Sequence, residues 1–258
     1  MPDLHAFIPV LLFVVGTIGG VIAAVAGGGG LLLIPVFLFA GLTPIQAIAT
    51  QNLFVVPTGL SATAHFWKQG RLSLKATTVF VPVLFIFGGL GALTVGMLPS
   101  QFLTILVPVL LIALATWVVL SPGLHISKSV RQLNPFLYGL CIMPLLAFYD
   151  GFFGTCSGIF YMMSYLAFRK RDVVEATAAA KLFATASSSA ALLIFIINGH
   201  IVWPYGIAVG LGGILGAQIG SKLVIKHGAR LIRVIVLVTS VAASLKLLVD
   251  QARHYGVF

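Results

Sequence analysis

The stretch AGGGGLLLIP, residues 26–35, places four consecutive glycines between two strongly apolar runs, VIAAVA before them and LLLIPVFLF after them. Each glycine lowers helix stability by roughly 1 kcal/mol relative to alanine. The glycines at 27–30 therefore predict a break between two apolar helices. The purpose of such a break depends on whether the helices lie in water or in lipid.

The composition predicts lipid. Of the 258 residues, 60% are hydrophobic and 8% are charged, whereas a soluble domain has about 25% charged residues. Apolar segments of spanning length recur along the whole chain, without a polar block of about 50 residues that could form a soluble domain. The formal net charge of +10 lies in short loops, where basic residues orient a protein in the bilayer. We expect an integral membrane protein embedded in the lipid bilayer, and no nucleic-acid binding.

Helices are the open-chain structures that satisfy backbone polar groups in lipid, so the apolar segments predict an all-α polytopic fold. The segments are 6–26, 30–40, 44–66, 76–97, 102–120, 135–150, 154–168, 173–197, 203–222 and 231–249. The second and seventh would rise only about 16 and 22 Å, less than the roughly 30 Å hydrocarbon core. We expect each to form a glycine-broken hairpin with the helix before it, and segment length leaves open whether the hairpins turn inside the membrane.

The loop charges predict the orientation. Basic residues occupy alternate loops: Lys68, Arg71 and Lys75; Lys128 and Arg131; Arg169, Lys170 and Arg171; Lys222, Lys226, Arg230 and Arg233. The connections at 40–44, 98–101 and 198–203 contain neither Lys nor Arg. Cytoplasmic loops carry the excess of Lys and Arg. The sequence therefore predicts a multi-pass protein of the bacterial inner membrane with both termini on the outer, periplasmic side.

An offset of 129 residues aligns one half of the sequence with the other. It superimposes two helix-capping patterns, TPIQ at 43–46 and DVVE at 172–175, and places Gly29 on Gly158 and Gly70 on Gly199. Equivalent loops have opposite charge character, so equivalent segments should face opposite sides. These features predict two inverted-topology repeats, 1–122 and 135–258, joined by a cytoplasmic linker at 123–134. Many secondary transporters have this architecture and bind substrate between the repeats near the midplane.

The second half contains its own glycine-rich break, YDGFFGTCSG at 149–158. A helix begins after each break, and the free N–H groups of its first turn point back into the break with the positive end of the helix dipole. Such helix ends bind anions. Two of them, related by inversion, predict a small-anion site near the midplane. The alternative is a tight turn or a close helix contact without a ligand.

Lys181 is the second informative feature. It lies about 13 Å into a predicted membrane helix, where a charge costs roughly 2.5 to 3.5 kcal/mol on insertion scales. Thr177, Thr185 and Ser188 share its helical face, so this polar face should point into the protein, with Asp150 as the expected counter-ion. The alternative is a purely structural ion pair.

No Ser/His/Asp, HExxH or CxxC arrangement is present, so we expect no enzyme activity, no cofactor and no metal site.

Four stretches together resemble one known family. They are AGGGGLLLIPVFLFAGLTPIQAIATQN, FYDGFFGTCSGIF, EATAAAKLF and GLGGILGAQIGSKLVIKHGARLIR. The resemblance is to the sulfite exporter TauE/SafE family of bacterial membrane permeases, and it extends over nearly the whole chain. It implies the export or uptake of small organic or sulfur-containing anions by a secondary transporter.

The chain departs from the family's usual pattern in an orderly way. Relatives often have an Asp shortly before the four glycines and an Asn-Lys pair after the following Ala-Thr, where this chain has Ala23, Gln51 and Asn52. One acid and one base are thus absent together. The resemblance implies that relatives carry an ion pair in each half, of which this chain retains only Asp150 and Lys181.

We therefore expect a secondary transporter that moves small anions by alternating access, either sulfite, sulfonates or related organosulfur or carboxylate anions. The alternatives are an anion channel and a membrane-embedded enzyme. The expected partner is the small anionic substrate, and a homodimer is left open. The residues expected to bind the substrate are Gly28, Gly29, Gly30, Gln51, Asn52, Tyr149, Asp150, Gly154, Thr155, Ser157, Gly158, Thr177, Lys181 and Thr185.

Overall fold

The computed structural model describes residues 3–120, 133–169 and 172–227, and nearly all of this part of the chain is helical. Its helices are α1 (Asp3–Ala26), α2 (Gly29–Phe39), α3 (Pro44–Lys68), α4 (Leu74–Thr77), α5 (Val81–Gly96), α6 (Ser100–Leu120), α7 (Pro135–Leu137), α8 (Met143–Phe152), α9 (Ser157–Arg169), α10 (Val173–Ile197) and α11 (Trp203–His227). A 3-10 turn joins α4 to α5, and a π-helical turn joins α7 to α8. The predicted segment at 231–249 lies outside the described residues, as does most of the predicted linker.

Within the described residues, five helical segments are long and apolar enough to cross a membrane. They are Ile8–Val25, Leu74–Gly96, Pro135–Phe152, Val173–Ile197 and Trp203–Lys226. Large apolar side chains cover the outer surface; for example, Leu145 is 70% exposed and Ile86 is 58% exposed. A soluble monomer rarely exposes apolar surface on this scale. The prediction of an all-α multi-pass membrane protein is confirmed.

Both predicted helix caps are present at the starts of α3 and α10. The Thr43 side chain accepts a hydrogen bond from the Gln46 backbone N–H, and the Gln46 side chain accepts one from the Thr43 N–H at 3.0 Å. The Asp172 carboxylate accepts from the N–H groups of Val174 and Glu175 at 2.7 and 2.8 Å. These side chains satisfy donors that have no partner within the helix, which fixes where α3 and α10 begin.

Two apolar clusters fill opposite ends of the helix bundle. The cluster at the end with the basic loops, here the basic-end cluster, includes Phe66, Leu72, Phe80, Tyr138, Phe183 and Val224. The other, the neutral-end cluster, includes Phe37, Leu42, Val95, Phe195, Ile201 and Val209. Five long helices, α1, α3, α5, α10 and α11, contribute residues to both clusters, so the clusters reveal the direction in which each of them runs.

Helices α3 and α10 run in opposite directions. Ile48, near the start of α3, belongs to the neutral-end cluster, and Phe66, near its end, belongs to the basic-end cluster. Helix α10 begins in the basic-end cluster with Ala176 and ends in the neutral-end cluster with Phe195. These two helices contact each other along the centre of the bundle.

The two glycine-broken hairpins enter from opposite ends. Helix α1 runs from the neutral end towards the basic end, and α2 returns to the neutral end. Helix α8 runs from the basic end towards the neutral end, and α9 returns to the basic end. Ala24, near the tip of the first hairpin, lies beside Gly220 of α11, about 10 Å before that helix ends. Both hairpins thus turn inside the bundle rather than crossing it twice.

Glycines permit close crossings of the outer helices with the hairpins. A Cβ atom added to Gly151 of α8 would lie 2.6 Å from the Gly88 carbonyl carbon of α5, and one added to Gly216 of α11 would lie 3.0 Å from the Gly20 Cα of α1. Backbones approach this closely only where side chains are absent. Gly88, Gly216 and Gly220 therefore permit close helix contacts.

Candidate functional site

The tips of the two hairpins meet in the interior of the bundle. Gly27 has a φ of +76°, and a Cβ on it would lie 2.6 Å from the Gly158 Cα. The second break contains Gly154 at φ +75° and Cys156 at φ +62°. Backbone therefore packs directly on backbone where the two breaks touch, and glycine is needed on both sides because even one methyl group would not fit.

A cavity of about 40 Å³ lies beside this contact. It has room for a few water molecules, since one water needs roughly 10–15 Å³ on the same measure. Both breaks, the middle of α3 and one residue pair of α10 line it. The lining residues are Ala23, Ala24, Gly27, Gly29, Gly30, Gln51, Phe54, Val55, Thr58, Gly59, Ala62, Gly154, Ser157, Gly158, Lys181 and Ala184.

Several polar atoms around the cavity are buried and have no hydrogen-bond partner within the described residues. They are Gln51 Oε1, Thr58 Oγ1 and Thr155 Oγ1. Gln51 and Thr155 converge on Gly30, because a Cβ there would lie 2.9 Å from both the Gln51 Cδ and the Thr155 Oγ1. A buried polar group without a partner costs about 1–3 kcal/mol. Such a group is therefore ready to bind water or a ligand.

Among the described residues, Lys181 is the only lysine that lines the cavity, and it is 6% exposed. Its Nζ donates a hydrogen bond to the Ala23 carbonyl oxygen at the end of α1. No carboxylate in the described part of the chain pairs with it. A buried ammonium group with only a carbonyl partner is poorly compensated, because buried charges are normally paired. Lys181 therefore places a basic group at the hairpin tips, and its positive charge when protonated would have no counter-charge within the described residues.

The expected pairing of Asp150 with Lys181 is wrong. The Asp150 carboxylate is fully buried and accepts hydrogen bonds from Ser187 and, at 3.4 Å, from Ser188. These serines lie six and seven residues beyond Lys181 on α10, about 10 Å along the helix axis. Asp150 therefore faces the next turns of α10, while Lys181 extends to α1 of the other half. Sequence spacing could not reveal that Asp150 lies beyond Lys181 along α10, because this depends on where α8 packs along the axis of α10.

The structure brings half of the expected substrate-binding residues to the cavity. Those that line it are Gly29, Gly30, Gln51, Gly154, Ser157, Gly158 and Lys181. Thr155 adjoins it through Gln51, and Gly28 is buried beside Ile159. The Tyr149 hydroxyl donates to the Thr155 carbonyl and holds the second break in shape.

Besides Asp150, three further expected residues lie away from the cavity lining. The Thr177 hydroxyl bonds to the Val173 carbonyl at 2.7 Å, and the Thr185 hydroxyl bonds to the Lys181 carbonyl at 2.6 Å. The Asn52 amide donates to the Ile48 carbonyl at 2.9 Å. The polar face of α10 does point into the protein, as predicted, because Thr177 is 1% and Thr185 4% exposed. Their hydroxyl groups nevertheless donate hydrogen bonds to carbonyl oxygens of their own helix.

Sequence reasoning missed the contribution of α3 beyond Gln51. Val55, Thr58, Gly59 and Ala62 line the cavity together with Gln51. These positions follow Gln51 at helical intervals of four, seven, eight and eleven residues, so they share one face of the helix. The Thr58-Gly59 pair was the available signal, since a small polar pair in the middle of an apolar helix is typical of a close contact or a polar cavity.

Comparisons with known proteins find relatives named as membrane transporters. The family model described as sulfite exporter TauE/SafE matches residues 12–247. A probable membrane transporter protein, ORF9 of Sinorhizobium sp., is 34% identical over 258 residues, covering 100% of this chain and 99% of its own. The probable membrane transporter protein YfcA of Escherichia coli K12 is 35% identical, over 93% of this chain and 90% of its own. YunE of Bacillus subtilis 168, also named a probable membrane transporter protein, is 25% identical over 88% of this chain and 94% of its own.

No solved structure matches the chain significantly. The family match covers most of the sequence, and the relatives align along nearly their full length. This chain, an all-α membrane transporter, belongs to the sulfite exporter TauE/SafE family.

Proposed function

We propose that this protein is a secondary transporter that moves small anions across the bacterial inner membrane by alternating access. One observation carries the proposal: Lys181 reaches the cavity where the two hairpin tips meet, and no carboxylate in the described residues neutralises it. A small anion in the cavity would balance that charge. It would also meet the first N–H groups of α2 and α9, whose starting residues line the same space.

The chemistry of the cavity favours a small oxyanion. The unpartnered oxygens of Thr58 and Thr155 belong to hydroxyl groups, which donate hydrogen bonds to an anion. The space is too small for a large organic ligand. Sulfite, small sulfonates, related organosulfur anions and small carboxylates are therefore the proposed substrates. The name of the family model points to sulfite.

Two inverted repeats, 1–122 and 135–258 with the linker at 123–134, are the proposed basis of alternating access. Helix directions support the inversion, since α3 and α10, like the two hairpins, run oppositely. Local backbone conformations also support it. Gly70 and Gly199 both have a φ of +68°, and Gly27 and Cys156, 129 residues apart, have φ of +76° and +62°.

The helix contacts support the same repeats. Helix α1 of the first half packs on α11 of the second, and α8 of the second half packs on α5 of the first. Under the 129-residue offset, α1 corresponds to α8 and α11 corresponds to α5, so the two contacts are equivalent. Each hairpin is thus carried by a helix of the other half. Rocking of these two units around the hairpin tips would open the cavity to one side of the membrane at a time.

We also propose that both termini face the periplasm. The basic ends of several elements lie on one side of the bundle. Arg169 donates to the Leu133 carbonyl at 3.1 Å, and His65 lies close enough to Lys68 and Lys222 to interact electrostatically with both. Gathering the basic groups at one face fits a cytoplasmic location for that face.

The function is tested first by binding. A purified sample is screened by thermal shift with sulfite, thiosulfate, methanesulfonate, taurine and acetate, because a ligand of the folded state raises the unfolding temperature. At least one anion should stabilise the wild type and not Lys181→Met. The exposed Lys226→Met variant is the matched control and should respond like the wild type, since it removes a lysine from the surface of α11. Equal stabilisation of both variants contradicts the assignment of Lys181.

Transport is tested in reconstituted vesicles with the same anions. A carrier should take up labelled anion with saturation and should exchange it for unlabelled anion inside the vesicle. Conductance without such exchange would indicate a channel. Absence of any anion flux from vesicles that contain folded protein would contradict the proposed function.

A further inference from the structure

Asp150 is a buried carboxyl group that the proposed anion site does not use. It is 0% exposed and does not line the cavity. Its Oδ2 accepts hydrogen bonds from Ser187 and Ser188, and its Oδ1 has no hydrogen-bond partner in the described residues. A carboxylate this deep in an apolar layer is costly to keep ionised. Some ligand other than the substrate anion should therefore neutralise it.

No basic side chain of the described residues neutralises Asp150. Tyr149 on its own helix and Tyr161 on α9 interact with it electrostatically, and Cys156 lies in the break between these helices. Helix α5 has no titratable side chain, and α10 presents serines. Lys181 of α10 is turned away to the Ala23 carbonyl. The groups that surround Asp150 can thus donate or accept hydrogen bonds, but none supplies a counter-charge.

The surroundings of Asp150 suit a proton better than a metal cation. A bound Na⁺ would need several oxygen ligands and a space of its own, and the cavity does not extend to the carboxyl group. A proton needs no space. The Ser187 hydroxyl has the Phe183 carbonyl 3.1 Å away, so it can donate its one hydrogen there and accept a hydrogen bond from a protonated Asp150.

We propose that Asp150 is the proton-binding residue of this transporter and that its protonation favours the binding of the anion beside Lys181. Gly154 connects the two sites, because it lines the cavity and a Cβ on it would lie 3.9 Å from Asp150 Oδ1. An ionised Asp150 this close to a lining residue of the cavity would repel an anion inside it, and a protonated one would not. Linkage then requires that the anion favour proton uptake as much as the proton favours the anion. This inference rests on the proposed function and makes the transport an anion–proton symport.

The first test needs no substrate. The chain contains only five Asp and Glu residues, so the infrared band of a protonated carboxyl group can be assigned by mutation. At about pH 6.5, where ordinary carboxyl groups are ionised, the wild type should show this band and Asp150→Asn should lack it. The control Asp172→Asn should keep the band, because Asp172 is exposed and asparagine caps a helix equally well. A wild type without the band overturns the proposal.

A second variant guards against misfolding of Asp150→Asn. Ser187→Ala leaves the carboxyl group in place and removes one of its hydrogen-bond partners. The band of the protonated group should therefore shift in frequency without disappearing. An unshifted band in Ser187→Ala would show that the protonated group lies elsewhere, which overturns the assignment to Asp150.

The third test measures coupling in vesicles with thiosulfate and methanesulfonate, whose neutral acids are too strong to carry protons across the bilayer themselves. Wild type should accumulate one of these anions when the inside is alkaline. Asp150→Asn should still exchange labelled for unlabelled anion but accumulate at least tenfold less. Accumulation driven by a Na⁺ gradient and unchanged in Asp150→Asn overturns the proton proposal. Absence of exchange in the wild type instead contradicts the transport function, and the infrared result then decides the proton site alone.

Discussion

Lys181 and Asp150 show how one helix can serve two buried charges separately. Lys181 belongs to α10 and extends towards Ala23 of the first half. Asp150 belongs to α8 and contacts α10 at Ser187, about two turns beyond Lys181. A direct ion pair would neutralise both charges and leave little reason for an anion to enter. Their separation leaves a positive charge at the cavity and an acidic group behind it. The two charges are thus available for different ligands.

The first prediction concerns Ala23, whose side chain lines the cavity and whose carbonyl accepts from Lys181. Ala23→Asp would place a carboxylate beside that ammonium group, where it would act as an internal anion. We expect the variant to fold and to bind the anions of the thermal-shift screen at least tenfold more weakly, which corresponds to about 1.4 kcal/mol.

Ala23→Asn is the matched control for this variant, because it adds a polar group of the same size without charge. It should retain anion binding to within about threefold. Undiminished binding by Ala23→Asp would mean that the anion does not approach Lys181.

At the scale of the helical elements, the two hairpins matter most because their tips form the site. Gly27 and Gly158 touch through backbone atoms. We expect Gly27→Ala to destabilise the protein by about 3 kcal/mol or more. Alanine is strained at the positive φ of this position, and its Cβ would also clash with the opposing hairpin. Gly41→Ala separates the two effects, because Gly41 has a φ of +87° and nothing within 4 Å of an added Cβ.

Gly41→Ala should therefore cost only the conformational part, about 1 kcal/mol. Thermal unfolding in detergent measures both variants. If the two substitutions lowered stability equally, the contact between the tips would contribute nothing to it.

The support of the second hairpin by α5 gives a further prediction at this scale. Gly151→Ala should destabilise the protein, because the new Cβ would lie 2.6 Å from the Gly88 carbonyl carbon. Gly96→Ala on α5 has open space around it and should be neutral or stabilising by up to about 1 kcal/mol, since alanine favours helix more than glycine. Urea or thermal unfolding compares them. A harmless Gly151→Ala would contradict the close α5–α8 crossing.

At the scale of the whole molecule, the opposite directions of α3 and α10 make a testable statement about topology. Gln69 follows α3 and Asn198 follows α10, and both are exposed. Single cysteines at these positions, in a variant lacking Cys141 and Cys156, should react with impermeant reagents from opposite sides of the membrane. Gln69→Cys should react from the cytoplasm. Labelling of both from one side would exclude the inverted repeats.

Much of the fold could be predicted from the sequence because lipid leaves few alternatives. Backbone groups in a bilayer must form helices, so apolar runs gave the helices, and the residues at 43–46 and 172–175 gave the starts of α3 and α10. The glycine breaks were equally visible, since four glycines cannot stabilise a helix interior. The part of the site made by Gly29, Gly30, Gly154 and Gly158 follows from these breaks.

The chain's sequence by itself determined which residues are helical, where the helices are interrupted and that a lysine and an aspartate lie within apolar segments. Only the tertiary structure decided which charges meet. The partner of Lys181 depends on the contact between Gly27 and Gly158 and on the distance by which α8 is displaced along the axis of α10. That distance is set by backbone packing between elements far apart in the sequence. Periodicity within one helix carries no information about it, so the expected ion pair gave way to two separate sites.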